Sequence, residues 1–99
     1  MPKKIDKKIL IVEDDEDFIS ILKTKFSAEG FLVVSAQNGE EGASKAETES
    51  PDLILSDVLL PKLDGVAMGQ KIRELKIDTP IFYLTNIKEE THEEGLKKV

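Results

Sequence analysis

Four short apolar runs separated by longer amphipathic stretches constrain the fold of this 99-residue chain more than any other feature. The runs occupy residues 8–12, 31–35, 52–56 and 80–84. A run this short, with apolar residues at consecutive positions, is typical of a strand that is covered on both faces. Strands separated by helices must be parallel, with right-handed crossovers. The pattern therefore predicts an α/β fold with an open, doubly wound parallel sheet.

The stretches between and after the runs predict four helices. The first, over about residues 17–29, repeats apolar residues every four positions and ends before Gly30, which suits a left-handed cap. The second, over about 39–49, follows Asn38, a good N-cap residue. The third covers about 66–75, and its candidate core residues are Val66, Met68, Ile72 and Leu75. The fourth, which is very polar, begins near Lys88.

Composition narrows the classes of partner and the location of the chain. The net charge of −6 disfavours nucleic acid as a partner, and the lysines near the start are interpreted as a solvated basic tail over residues 1–7. The absence of cysteine excludes disulfides and cysteine-bound zinc. No apolar run approaches the ~20 residues of a membrane span, and no signal peptide is visible. We therefore expect a soluble cytoplasmic domain over residues 8–99, with no nucleic-acid or membrane partner.

Acidic residues follow two of the predicted strands. Glu13 and Asp14 come directly after the first strand, and Asp57 comes directly after the third. In an open parallel sheet, ligands bind at the carboxyl ends of the strands, so these carboxylates converge if the first and third strands are neighbours. Each like-charged pair at ~5 Å would cost roughly 3 kcal/mol, which a divalent cation such as Mg²⁺, Mn²⁺ or Ca²⁺ removes. The acidic residues at 15–17 are interpreted as helix-capping residues.

Three segments of the chain resemble the receiver domains of two-component response regulators. Residues 9–16 are similar to their first strand and acidic pair. Residues 52–65 are similar to their phosphoacceptor segment, in which an Asp ends the third strand and a Pro-x-x-Asp-Gly turn opens the next helix. Residues 80–85 are similar to their fourth strand and switch residue. The segments occur in the family's order, and the resemblance covers residues 8–99.

This resemblance implies a flavodoxin-like, CheY-like fold and a set of functional residues. Asp57 would be the phosphoacceptor, taking a phosphoryl group from a sensor histidine kinase or a phosphotransfer protein. Mg²⁺ would be bound by Glu13, Asp14, Asp57 and the backbone carbonyl of Leu59. Thr85 would be the switch residue that contacts the phosphoryl group. The domain would act on an output partner, and it would be no enzyme beyond its own phosphorylation and dephosphorylation.

The chain also departs from the family's pattern. Receiver domains continue with a fifth strand that carries a Lys and with a fifth helix, whereas this sequence stops at Val99. We therefore expect a receiver fold truncated after the fourth helix, with residues 81–84 as an exposed apolar edge and part of the stripe around Leu22 and Phe26 uncovered. The edge suggests either a homodimer or a chain cut from a longer one, and the missing Lys suggests impaired phosphotransfer. The alternative function is an interaction or dimerisation module.

Two other classes of function are disfavoured because their characteristic residues are lacking. A phosphatase of the haloacid-dehalogenase type carries a second Asp two residues after its nucleophile, where this chain has Leu59. A dinucleotide-binding domain would have a Gly-x-Gly-x-x-Gly loop after the first strand, which is lacking here. Tyr83, on the fourth strand, is interpreted as a core residue.

Overall fold

Seven elements alternate between strand and helix along residues 6–84, the part of the chain that the computed structural model describes. They are β1 (Lys8–Val12), α1 (Glu16–Ala28), β2 (Leu32–Ala36), α2 (Gly39–Glu49), β3 (Leu53–Ser56), α3 (Gly65–Glu74) and β4 (Ile81–Tyr83). This order confirms the predicted alternation, and the ends lie close to the predicted ones. The predicted fourth helix and Thr85 lie outside the described residues.

The four strands form one parallel sheet in the order β2-β1-β3-β4. The chain passes from β1 to β2 on one side and then returns to place β3 on the other side of β1. The strand order therefore reverses at β1, and the carboxyl ends of β1 and β3 form the switch point at which ligands bind in such sheets. This topology confirms the predicted fold class and the predicted adjacency of the first and third strands.

Two apolar clusters cover the two faces of the sheet because successive side chains of a strand point to opposite sides. On one face, Leu10 and Val12 pack with α2 and α3 in a cluster that also contains Ala36, Ala43, Ala46, Ile54, Met68 and Ile72. On the other, Ile9 and Ile11 pack with Leu55, with Leu22 and Phe26 of α1 partly buried against them. Burial on both faces explains why the strand sequences are apolar at consecutive positions.

Each of the three helices begins directly after a polar residue that caps its N-terminus. The carboxylate of Asp15 accepts hydrogen bonds from the backbone N–H groups of Asp17 and Phe18, which confirms Asp15 as a capping residue. Asn38 caps α2 by accepting from the N–H of Glu41, and Asp64 caps α3. These caps supply acceptors for the orphan N–H groups of each first turn.

The prediction of four core residues in and near α3 was right for two of them and wrong for the other two. Met68 and Ile72 are fully buried, whereas Val66 and Leu75 are 52% and 38% exposed. Val66 precedes Met68 by two residues and so lies about 200° around the helix from it. Leu75 is the C-cap, beyond the last helical residue. The prediction counted apolar residues without fixing which face of the helix meets the sheet.

Strand β4 lies at one end of the sheet and corrects two further expectations. Phe82 is 59% exposed and Tyr83 is 37% exposed, so Tyr83 is not the core residue that was predicted. Ile81 and Leu84 are partly buried and pack against opposite core clusters, so the apolar edge is narrower than expected. Within residues 6–84, β4 pairs with β3 alone.

Candidate functional site

Two neighbouring strands bring three carboxylates together at the carboxyl edge of the sheet. The register pairs Val12 of β1 with Ser56 of β3, so the next residues, Glu13 and Asp57, stand side by side. The N–H of Asp57 donates to the carbonyl of Val12 at 3.0 Å, which continues the strand pairing into the site. One carboxylate oxygen each from Glu13, Asp14 and Asp57 lie within 4.8 Å of one another. The structure thus assembles the three side chains that the sequence predicted to converge.

Burial of the three carboxylates differs, and this shapes the site. Glu13 is 2% exposed and Asp57 is 7% exposed, whereas Asp14 is exposed. The carboxylate of Glu13 accepts from the N–H of Asp15 at 2.9 Å, and that of Asp57 accepts from the N–H of Leu59 at 3.4 Å. Three such groups at this spacing repel one another by roughly 3 kcal/mol a pair at ~5 Å. A small divalent cation that prefers oxygen ligands, such as Mg²⁺, would offset that repulsion.

The loop between β3 and α3 runs from Asp57 to Asp64 beside this cluster. Leu59 lies on it, with its side chain 57% exposed. The loop turns through Lys62, which has a positive φ of 66°, and the N–H of Leu63 donates to the carbonyl of Pro61 at 2.7 Å. It ends where the N–H of Gly65 donates to the carbonyl of Val58 at 2.8 Å. The site therefore consists of carboxylates at the ends of two strands and, beside them, a loop that is closed by backbone hydrogen bonds.

Gly39, the first residue of α2, packs closely against this loop. A Cβ added to Gly39 would lie 1.7 Å from the carbonyl oxygen of Leu63, so the helix and the loop are in backbone contact. Sequence reasoning did not identify Gly39 as part of the site. The only signal for it was its place directly after the N-cap Asn38.

Tyr83 of β4 contacts the end of this loop, where α3 begins. Its hydroxyl donates to the carbonyl of Gly65, the first residue of α3, at 3.0 Å. Burial of the ring raises the pKa of Tyr83 above its ordinary value. Sequence reasoning missed this contact as well. Thr85, the remaining predicted site residue, lies outside the described residues.

The fold and the site together define a class: a flavodoxin-like α/β domain with an acidic cluster at the switch point of its sheet. Within that class, the chain belongs to the response regulator receiver domain family, whose family model matches residues 9–98. It is thus the receiver domain of a response regulator in two-component signalling, as the resemblance implied. The acidic cluster and the loop with Leu59 occupy the segments that carried that resemblance.

Individual relatives agree with this family. The chain is 45% identical over 86 residues to the alkaline phosphatase synthesis transcriptional regulatory protein PhoP of Bacillus subtilis, covering 87% of this chain and 36% of that protein. It is 42% identical over 78 residues to the probable transcriptional regulator ycf27 of Guillardia theta, covering 79% of this chain and 30% of that protein. The chain thus spans about a third of the length of these curated relatives.

Solved structures match over most of the chain. The receiver domain of the Francisella response regulator 1452 superposes with a TM-score of 0.78 at 32% identity, covering 93% of this chain and 77% of that one. The receiver domain of sensor histidine kinase PA1611 from Pseudomonas aeruginosa, solved with a magnesium ion in its active-site cleft, superposes with a TM-score of 0.78 at 27% identity, covering 89% and 75%. No helix within residues 6–84 is both long and apolar enough to cross a membrane.

Proposed function

We propose that Asp57 accepts a phosphoryl group from the phosphohistidine of a sensor histidine kinase or a phosphotransfer protein. The observation that carries this proposal is the approach of the carboxylates of Glu13, Asp14 and Asp57 to within 4.8 Å at the switch point of the sheet. Residues that would hold Mg²⁺ are these three and the backbone carbonyl of Leu59. The oxygen-only donor set fits this ion, and the PA1611 receiver domain has one in its active-site cleft.

The chemistry required of the chain is modest. A carboxylate oxygen of Asp57 attacks the phosphorus atom, the P–O bond forms, and the P–N bond to the donor imidazole breaks with its electron pair leaving on nitrogen. The product is an aspartyl phosphate, which water can hydrolyse. Mg²⁺, when bound, would supply positive charge that stabilises the transferred phosphoryl group. Glu13 and Asp14 would orient that charge, and the exposed side of Asp14 leaves the cluster open to a donor protein.

Thr85 is the proposed switch residue on the strength of the resemblance. The N–H of Leu84 donates to the carbonyl of Ser56 at 2.8 Å, so the last described residue lies beside the end of β3, which directly precedes Asp57 in the sequence. A hydroxyl that bonds to the phosphoryl group would link phosphorylation to the surface around β4, by a shift of population between two conformations. We propose that an output partner reads this surface.

Several coarser features complete the proposal. The domain would extend over residues 8–99 with a basic tail at 1–7, would work in the cytoplasm without nucleic acid or membrane, and would catalyse only its own phosphorylation and dephosphorylation. The alternative is an interaction or dimerisation module with impaired phosphotransfer. Phe82 lies on the end strand of the described sheet and is 59% exposed, which favours a contact between this strand and another protein chain. A homodimer through β4 is compatible with both functions.

Phosphorylation can be tested by mass spectrometry of the intact chain after incubation with Mg²⁺ and acetyl phosphate. We expect the mass of one phosphoryl group to be added to the wild-type chain and none to Asp57→Asn, because the amide is not a nucleophile for phosphorus. Asp78→Asn is the matched control, since Asp78 is an exposed loop residue, and it should gain the group as the wild type does. A wild-type chain that gains nothing, or an Asp57→Asn chain that gains as much, contradicts the proposal.

Homodimerisation can be tested separately by sedimentation velocity over a range of concentrations. We expect the wild-type chain to dimerise and Phe82→Lys to shift the equilibrium at least about tenfold toward monomer, since charge on an edge strand opposes pairing. Leu32→Lys, a change at a 50% exposed position on the other end strand, should dimerise normally. A wild-type chain that stays monomeric, or equal effects of both changes, would rule out the β4 interface.

A further inference from the structure

The ring of Tyr83 lies against the first turn of α3, in a slot formed by two glycines. Its hydroxyl donates to the carbonyl of Gly65 at 3.0 Å. A Cβ added to Gly69, one turn later, would lie 2.6 Å from that hydroxyl oxygen and 3.6 Å from the Cδ1 atom of Ile81. The hydroxyl therefore fills the space that a side chain at residue 69 would otherwise occupy. A phenylalanine ring would fit the same slot but would leave the carbonyl of Gly65 without this donor.

Gly65 connects this slot directly to the backbone of the phosphoacceptor. A Cβ on Gly65 would lie 2.4 Å from the carbonyl oxygen of Asp57, 3.0 Å from the Cα of Val58 and 3.2 Å from the Cε1 atom of Tyr83. No side chain can stand between the tyrosine ring, the start of α3 and the Asp57–Val58 peptide. The N–H of Gly65 also donates to the carbonyl of Val58 at 2.8 Å. A displacement of Gly65 would therefore displace the backbone of Asp57, because the two are in direct contact.

The loop that carries Leu59 depends on the same attachment. It leaves the sheet at Asp57 and returns at Gly65, so the position of Gly65 fixes its far end. The side chain of Leu59 is exposed, whereas Leu60 and Leu63 are partly buried against the core. Close backbone contacts at Gly39 and Gly65 also hold the loop in place. Displacement of the start of α3 would therefore shift the carbonyl groups of this loop relative to the acidic cluster.

We propose that Tyr83 is a positioning residue for the metal site: its hydroxyl holds the start of α3 against the Asp57–Val58 peptide and thereby sets the geometry of the 58–64 loop. This inference rests on the proposed function, because its effect is read through Mg²⁺ binding. Tyr83 touches neither the ion nor the donor. The residues that would bind the ion remain those that directly follow β1 and β3, together with Leu59 in the loop.

Isothermal titration calorimetry of the 99-residue chain with Mg²⁺ tests the role of the hydroxyl. We expect Tyr83→Phe to raise the Mg²⁺ dissociation constant about three- to tenfold, because without the hydroxyl the binding of the ion must itself fix the start of α3, at a cost of about one hydrogen bond. Circular dichroism should show that the variant is folded. Gln70→Ala, an exposed position in the same helix, is the control and should bind Mg²⁺ with the wild-type affinity.

A double-mutant cycle separates positioning from general packing. Gly69→Ala should weaken Mg²⁺ binding in the wild-type background, because the methyl group would displace the hydroxyl of Tyr83 from the carbonyl of Gly65. In the Tyr83→Phe background the same change should leave Mg²⁺ affinity unaltered, since the hydroxyl oxygen that it would meet is gone. A loss of general stability would instead give similar effects of Gly69→Ala in both backgrounds.

Tyrosine fluorescence gives a readout that needs no variant of Tyr83. The chain has one tyrosine and no tryptophan, so its intrinsic emission reports on Tyr83 alone. We expect Mg²⁺ to change that emission with the midpoint found by calorimetry, because coupling between two sites is reciprocal. Asp14→Asn should abolish the change.

The proposed metal site and the proposed role of Tyr83 are contradicted by different results. A wild-type chain that shows no Mg²⁺ binding by calorimetry overturns the proposed metal site itself. A wild-type chain that binds Mg²⁺ overturns the role of Tyr83 if Tyr83→Phe binds equally well, or if Gly69→Ala acts alike in both backgrounds. If Tyr83→Phe does not fold, an emission that stays constant through Mg²⁺ saturation of the wild type overturns it instead.

Discussion

Replacing Gly39 with alanine is expected to lower the free energy of unfolding by about 2–3 kcal/mol, the range for overpacking at a site that cannot relax. In an exposed helix interior this change normally stabilises by up to about 1 kcal/mol, so the expected sign is reversed. The new Cβ would lie 1.7 Å from the carbonyl oxygen and 2.6 Å from the carbonyl carbon of Leu63. These are backbone atoms, and they can move only if the loop moves. Urea unfolding without added metal measures the change.

Gly42→Ala is the matched control because it makes the same change in the same helix. Its Cβ would lie 2.6 Å from the sulfur of Met68 and 3.1 Å from the methyl groups of Val12. Methionine is flexible and adapts to small intrusions, so we expect a loss clearly below that of Gly39→Ala. Gly39→Ala should also weaken Mg²⁺ binding, since Leu63 belongs to the loop beside the acidic cluster. Equal losses for the two variants would show that contact with the backbone of Leu63 is unimportant.

The second large effect concerns Mg²⁺ and Asp14. At 100 times its dissociation constant, Mg²⁺ should raise the free energy of unfolding by about 2.7 kcal/mol, because it binds the folded state alone. Asp14→Asn should remove nearly all of this gain by taking one carboxylate from the cluster. Without Mg²⁺ the same variant should be more stable than the wild type, because repulsion with Glu13 and Asp57 is relieved. Thermal unfolding with and without Mg²⁺ measures both effects.

The order of stability of the two chains should therefore invert when Mg²⁺ is added. Asp17→Asn is the control, because Asp17 is an exposed acidic residue of the same segment that lies outside the cluster. Its response to Mg²⁺ should match that of the wild type. The metal site would be refuted by a wild-type unfolding temperature that Mg²⁺ leaves unchanged, or by a response of Asp14→Asn equal to that of the wild type.

Local sequence patterns were sufficient to predict the elements and the acidic residues of the site. Consecutive apolar residues mark strands buried on both faces, and capping residues such as Asp15 and Asn38 mark helix starts, because both signals depend on near neighbours in the chain. The convergence of Glu13, Asp14 and Asp57 then followed from topology, since parallel strands that are neighbours end at the same edge of a sheet. Their role in binding Mg²⁺ and phosphoryl groups stays a prediction.

Only the tertiary structure decided which residues support the site. Gly39, Gly65 and Gly69 are required for space at a contact between elements distant in sequence, and none of them has the positive φ that local rules associate with glycine. Exposure of Val66 and the contact of Tyr83 with Gly65 depend likewise on how α3 is rotated against β4. The sequence by itself determined the order of the elements and which acidic side chains meet, because these are local or topological. The distances between packed backbones are not local, so only the folded chain could set them.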